Sequence, residues 1–246
     1  MMSLTDCLTG RNEFGVYCIP RAAAHRPASR AVLAGKVYEP DTIAFLRGNA
    51  AGGDIIHAGT FFGDFLPALA SVANHVWAFE PNPANHECAL ETIKRNNLEN
   101  VSLVHAAVSD ESGEVRLKTK GKLGRDLGGA SHLVASSDVR ATAVPAVRID
   151  YAVPGSAQVT VLHLDVEGHE TPALTGAMET IRRCRPIIVL ETDVSGDLKA
   201  VLKALGYRRR GHVGVNTVRA VAPPAVKPKK PSTLQRVERK IRRLLG

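Results

Sequence analysis

From Asp54 to about Ala220 the chain alternates short apolar runs with amphipathic stretches, the pattern of a mostly parallel β-sheet covered by helices. The apolar runs at 54–58, 76–80, 101–105, 159–164 and 187–191 predict strands. Between the first two, Asp64 is placed to cap a helix whose tolerant first turn holds Pro67. After the second, Asn82 and Pro83 make an N-cap and first-turn pair, opening a helix that ends near Asn96–Leu98. Residues 1–48 are less regular, with a loop-like stretch from Pro20 to Arg30 and a helix expected after Tyr38–Asp41. They read as a cap packed on a core domain of residues 49–220.

The stretch 111–150 breaks this rhythm. An alternating segment, Glu114 to Lys120, runs into a glycine-rich one, Gly121 to His132, which predicts a hairpin and loop rather than another strand and helix. Such an excursion is either a wall of a substrate site or a surface loop. At the other end, Ala222 to Pro231 is too proline-rich to continue a sheet and reads as a linker. Beyond it, Ser232 and Gln235 have capping-box spacing, and Leu234, Val237, Ile241, Leu244 and Leu245 recur at helical intervals opposite arginines and lysines. Residues 221–246 are therefore expected to be a linker followed by a short basic amphipathic helix suited to an anionic membrane surface, or a solvated tail.

Composition narrows this picture. At 246 residues and 44% apolar content, the chain can bury one sizeable α/β core. No apolar run has the length of a membrane span and no secretory signal pattern opens the chain, so a cytoplasmic protein is expected, with peripheral contact at the inner face of a membrane as an extension of the tail reading. The net charge of +8 invites a nucleic-acid reading until its position is considered. From 221 onward eight lysines and arginines stand against Glu238 alone, so seven of those charges belong to the tail and the body is near neutral. No aromatic residues interleave the tail charges to stack on bases, and no specific nucleic-acid partner is expected. Cys7, Cys18, Cys88 and Cys184 are widely spaced, with neither a CxxC pair nor a zinc-like histidine pattern, which favours reduced structural thiols and no metal.

The candidate chemistry lies at the predicted strand ends. Gly59 and Gly63 follow the first strand with GxxxG spacing, whereas a dinucleotide site needs GxGxxG to bring a pyrophosphate against a helix N-terminus. A positively charged cofactor without phosphate, such as S-adenosyl-L-methionine, fits this looser turn better. Glu80, at the end of the second strand, is positioned to accept hydrogen bonds from both hydroxyls of a ribose. The fourth apolar run ends in Asp165, Glu167, His169 and Glu170, where ligands of open α/β sheets bind. A carboxylate there can favour a sulfonium charge, and Asp165, Glu167 or His169 can accept the proton of an attacking hydroxyl; the plainer alternative is a set of capping and turn residues.

Ala78–Pro83 (AFEPNP), Leu164–Glu170 (LDVEGHE), Arg185–Glu191 (RPIIVLE) and Tyr38–Thr42 (YEPDT) together resemble the FkbM family of S-adenosylmethionine-dependent methyltransferases over roughly residues 36–210. The resemblance implies a Rossmann-like class I methyltransferase fold, a mostly parallel seven-stranded sheet with helices on both faces. It implies methylation of hydroxyl groups, often on sugars of glycans, glycolipids or natural products. By the same resemblance, Gly59 and Gly63 would cradle the methionine part of the cofactor, Glu80 the ribose, and the end of the third strand, around Ala107 to Asp110, the adenine, with His57, Thr60 and Asn82 as further candidate cofactor contacts. Two positions depart from the family pattern: His57 stands where an acid is usual and His163 where a lysine is frequent, and His57 reads either as a buried, hydrogen-bonded histidine that replaces the acid structurally or as a contact to the cofactor carboxylate. Two other readings remain open: a binding module of this fold without transfer chemistry, and, disfavoured by the glycine spacing, a nicotinamide-dependent oxidoreductase.

Overall fold

The computed structural model describes residues 7–229 except 122, 123, 136 and 139. The proposed basic helix around Ser232–Leu245 therefore lies outside the described residues. The chain begins with an antiparallel hairpin, β1 (Cys7–Asn12) and β2 (Gly15–Pro20). Its register sets Cys7 opposite Pro20 and Thr9 opposite Cys18, so the two cysteines lie on a cross-strand diagonal and are joined by a disulfide. This overturns the expectation of four reduced thiols, because a pairing made by hairpin register leaves no CxxC trace; Cys88 and Cys184 are free. The stretch read as a loop is largely helical, with a 3₁₀ turn at Arg21–Ala23 and α1 (Pro27–Leu33), whose proline occupies the first helical position. Next comes α2 (Pro40–Asn49), again opened by proline and by a bond from the Thr42 hydroxyl to Glu39 Oε2.

The main domain follows as β3 (Asp54–Ala58), α3 (Leu66–Ala70), β4 (Val76–Phe79), α4 (Pro83–Arg95) and β5 (Val101–Val104). Asn82 caps α4 as expected, its side chain accepting from the Ala84 N–H. Asp64 does not cap α3: Phe65 holds that position without a side-chain bond, and Asp64 is buried. The excursion contains β6 (Ala107–Val108), β7 (Gly113–Lys118), β8 (His132–Val134) and β9 (Thr142–Val147), joined in a four-stranded sheet of order β6-β9-β7-β8. The β7–β8 pair is the anticipated hairpin with its loop. Ala107 was expected at the end of the third main strand; β5 stops at Val104, and Ala107 instead opens β6 beside β9.

The chain returns through α5 (Ile149–Ala152), β10 (Val159–Leu164), α6 (Glu170–Thr175), α7 (Met178–Cys184), β11 (Ile187–Leu190), α8 (Gly196–Ala204), β12 (Arg208–Val213) and β13 (Asn216–Ala220). The main sheet has seven strands in the order β12-β13-β11-β10-β3-β4-β5. All neighbours pair in parallel except β13, which is antiparallel to both β11 and β12. The strand reversal at β3, with β4 on one side and β10 on the other, places a crevice at their carboxyl ends, where open α/β sheets bind ligands.

Every residue of β3 is buried, as the central strand of a sheet covered on both faces requires. Alternate residues feed two cores. Ile56, Leu162, Ile188 and Leu190 pack with Ala173, Leu174 and Ile181 of α6 and α7. Ile55, Val76, Val161 and Val189 pack with Phe45 and Leu46 of α2 and Leu66 and Leu69 of α3. A third cluster joins Tyr17 and Ile19 of β2, Val32 of α1, Phe61, Phe62 and Cys88, so the N-terminal hairpin rests on the crevice side of the domain. Hydrogen bonds from Asn96 Nδ2 to the Val16 carbonyl and from the Cys18 N–H to the Thr92 hydroxyl tie it to α4. The described part of the proline-rich segment, residues 222–229, has no helix or strand and is held along α2: Asn49 bonds both the N–H and the carbonyl of Val226, and Lys229 pairs with Asp41 at 2.9 Å.

Candidate active site

Two cavities open at the carboxyl ends of β3, β4 and β10, and Gly59, Gly129 and Asp165 border both. The first has a volume of about 460 Å³ and is lined by Ala58, Phe79, Glu80, Pro81, Ala106–Val108, Val166 and His169, with Leu117, Gly128 and Ser131–Leu133 of the excursion as its outer wall. The second, about 550 Å³, is lined by Arg26, Pro27, Ala28 and Tyr38 of the N-terminal region and by His57, Phe61, Asp64, Phe65 and Glu167.

Gly59 is the hinge between them. It has φ of 85°, and a Cβ built on it would run into the carbonyl oxygen of Asp165, so no other residue fits without moving β10. Its N–H and that of Thr60 donate to the Phe79 carbonyl at the end of β4, fixing the turn. Phe61 follows with φ of 52°, a left-handed conformation that costs a bulky residue about 1–2 kcal/mol. Its N–H is thereby aimed at Glu80 Oε2, 2.7 Å away. Glu80 Oε1 accepts from the Asn82 N–H at 2.9 Å and from Asn85 Nδ2 at 3.4 Å. The carboxyl is therefore held in one orientation at the cavity wall although burial raises its pKa to about 7.

The strand β10 ends at Leu164, and Glu167 (φ 50°) and Gly168 (φ 96°) turn the chain, so Asp165 and Glu167 are not successive positions on one strand face. They meet nonetheless: one carboxylate oxygen each from Asp165, Glu167 and Glu191, at the end of β11, lies within 4.8 Å of the others. Burial and the neighbouring Glu191 and Glu167 push the Asp165 carboxyl well above the ordinary range, and its Oδ1 has no partner among the described residues. His169 borders the first cavity, with Nε2 3.0 Å from the Ser109 hydroxyl. In the second cavity Asp64 is 8% exposed; burial, then the charges of Glu39 and Glu80, raise it to about 7.

Seven of the sequence-identified residues thus border the crevice: His57, Gly59, Glu80, Ala107, Asp165, Glu167 and His169. Four border neither cavity. Thr60 is fully buried and bonds the His57 carbonyl; Gly63 (φ 82°) faces Leu66 and Ala89 and serves the turn; Asn82 caps α4 and reaches Ser131; and Asp110 accepts from the Ser109 hydroxyl. The sequence reading missed Arg26, Tyr38, Phe61 and Gly128–Gly129 as lining residues, and Asp64 was assigned to a cap. The departure from strand–helix rhythm at 111–150 was the available signal for the outer wall.

A seven-stranded sheet with one antiparallel strand, a glycine turn after its central strand, an acid after the next and acids at the adjoining strand ends is the arrangement of the Rossmann-like class I fold of S-adenosylmethionine-dependent methyltransferases. The residues present fit that cofactor: Glu80 stands at the wall of the first cavity for a ribose, and Asp64 and Asp165 at the second offer acidic groups to a cation. The family model described as the methyltransferase FkbM domain matches residues 57–209, and the chain belongs to that family. Among solved structures it is similar to the FkbM methyltransferase from Methylobacillus flagellatus, at 16% identity and TM-score 0.47, covering 69% of this chain and 44% of that one. It is similar also to an S-adenosylmethionine-dependent methyltransferase from Aquifex aeolicus (14% identity, TM-score 0.41, covering 79% and 91%). A third is the Pyrococcus abyssi tRNA (uracil-54, C5)-methyltransferase, with S-adenosyl-L-homocysteine (16% identity, TM-score 0.45, covering 87% and 44%). This chain thus spans less than half the length of the first of these. No curated protein matches it.

Proposed function

We propose that the protein methylates a hydroxyl group of a small-molecule acceptor, with a sugar of a glycan, glycolipid or natural product as the acceptor class. The cofactor supplies an electrophilic methyl group on a positively charged sulfur. The chain's own part is orientation, which is worth about 7–11 kcal/mol in well-aligned reactions. The observation that carries the reading is the shared border of the two cavities. Glu80 and the apolar wall around Ala107 suit a nucleoside in the first, while the second is left for the methionine part and the acceptor. Asp165 stands at that border with a carboxyl made more basic by burial and by its acidic neighbours, as a proton acceptor for the attacking hydroxyl requires. Glu167 orients the acceptor, and His169 steadies the nucleoside side through Ser109.

The basic tail is assigned to peripheral contact with anionic lipid. Among the described residues no helix is long and apolar enough to cross a membrane, and the strap of residues 222–229 leads along α2 to Asp41, two positions from Glu39, whose charge acts on Asp64 and Asp165. Mass spectrometry of surface glycans and lipids from cells with and without the protein tests the function. The expected result is a species heavier by one methylene only when the protein is present; identical profiles, combined with no methyl transfer to cell extracts by purified protein, would reject it.

A further inference from the structure

His57 and His163, the two departures from the family pattern, are in contact in the fold. β3 and β10 run parallel with His57 and His163 as direct register partners, although 106 residues separate them. The rings are stacked at 5.0 Å and 2°, with Phe65 stacked on His57 at 5.4 Å. Their Nδ1 atoms are 2.9 Å apart. The side chains are 2% and 1% exposed, and burial holds both imidazoles neutral, that of His57 down at about 4.

Two neutral imidazoles hydrogen-bonded through Nδ1 must be opposite tautomers. One carries its proton on Nδ1 and keeps a bare Nε2; the other accepts at Nδ1 and carries its proton on Nε2. Neither Nε2 has a partner among the described residues. The two positions differ in their surroundings: His57 borders the second cavity, and His163 borders neither cavity of the site. A buried N–H without an acceptor is rarer than an under-used lone pair, so the bare Nε2 belongs on His163, the ring that borders no cavity and has no ligand to meet. The proton of the shared bond then sits on His163 Nδ1, and His57, at the border of the second cavity, carries its proton on Nε2.

We propose that His163 is a positioning residue that locks His57 as a neutral Nε2–H donor, and that this donor, with Arg26 of the same cavity, binds the carboxylate of the cofactor's methionine part. The inference rests on the methyltransferase reading for the identity of the ligand but not for the tautomer. Asp64 borders the same cavity and supplies the complementary acceptor for the ammonium group, so His57, Arg26 and Asp64 match an amino-acid zwitterion. An imidazole pair does this without adding net charge among buried acids.

Two measurements on the full chain test it. Long-range ¹H–¹⁵N correlation spectra of the free protein should show His57 protonated on Nε2 and His163 on Nδ1, and the His57 pattern should be lost in His163→Phe. The reverse assignment in the wild type overturns the lock. In calorimetry, His57→Phe and His163→Phe should each weaken S-adenosylhomocysteine about tenfold, roughly 1.4 kcal/mol, and leave methylthioadenosine, which lacks the amino-acid part, unchanged. His163→Asn, which keeps a short-armed donor, should recover most of the loss. Unaltered methylthioadenosine affinity shows that the site still folds. An equal loss on both ligands, or no loss in His163→Phe, overturns the carboxylate assignment. If the wild type binds neither ligand, the cofactor reading fails together with that assignment, while the spectra still decide the lock.

Discussion

The two cavities share a border but treat their polar groups in opposite ways. In the first, Glu80 is fixed in place before any ligand arrives, with the backbone N–H of Phe61 on Oε2 and the Asn82 N–H and Asn85 amide on Oε1. In the second, His57 Nε2 is enclosed without a partner, and Asp165 Oδ1 at the border is in the same state. Buried polar atoms are normally paired, and leaving one unpaired costs about 1–3 kcal/mol. The contrast teaches a division of labour: the first cavity is preorganised by the fold, whereas the second keeps hydrogen-bonding capacity that a ligand completes.

The strongest way to break this arrangement is at the hinge. Gly59→Ala adds a Cβ against the Asp165 carbonyl at a φ of 85°, so both cavities should be distorted together. We expect a stability loss of about 2–4 kcal/mol and loss of measurable S-adenosylhomocysteine binding, read by denaturant unfolding and calorimetry. Full retention of binding would show that the hinge is not a shared element.

A smaller effect that separates the cavities is expected from Glu80→Gln. The amide cannot accept from both backbone N–H groups, and one buried donor is left facing another. Affinity for S-adenosylhomocysteine and for methylthioadenosine should fall by similar factors, about 10- to 100-fold, because Glu80 belongs to the nucleoside side. This is the reverse of the selectivity expected for the histidine pair, and a loss confined to S-adenosylhomocysteine would contradict the division.

The mildest probe is pH. Asp64, Glu80 and Glu170 are raised to about 7 in the folded protein, above their unfolded values, so the native state holds more protons between about pH 4 and 7. Stability from these groups therefore falls as pH rises through that window. His57, lowered to about 4, acts in the opposite sense, its folded state holding fewer protons up to the unfolded value of 6.5. Asp64→Asn removes one acid and should raise the melting temperature by a few degrees at pH 8 and by less at pH 5. Cofactor cations stabilise the ionised carboxyls, so affinity should rise from pH 6 to 8 with proton release, and less so in this variant. An equal gain in melting temperature at both pH values would remove Asp64 as the titrating group.

Much of this molecule was readable from residue order. The five apolar runs became β3, β4, β5, β10 and β11 to within a residue at their ends; four of them are interior strands of a sheet covered on both faces, which demands mostly apolar residues, and β5 is its half-buried edge. Gly59 and Glu80 were legible for a related reason: a positive φ at a close backbone approach demands glycine, and a carboxyl placed just after a strand has few neighbours to serve. Asp64 was misread because its local spacing fits a cap, and only the packing of the hairpin, Glu39 and Glu80 around it makes it a buried acid of the cavity.

What the sequence by itself determined, then, is the local set: which runs form central strands, where the chain turns, and which acids stand at strand ends. These follow from periodicity and backbone sterics within a few residues. Tertiary structure alone decided the pairings across long separations. The disulfide depends on hairpin register, the outer cavity wall on the folding-back of residues 128–133, the meeting of Asp165 with Glu191 on strand order, and the His57–His163 bond on the parallel register of β3 and β10. A register slip of one residue would turn those side chains to the opposite face, and no local pattern records which register the packed core selects.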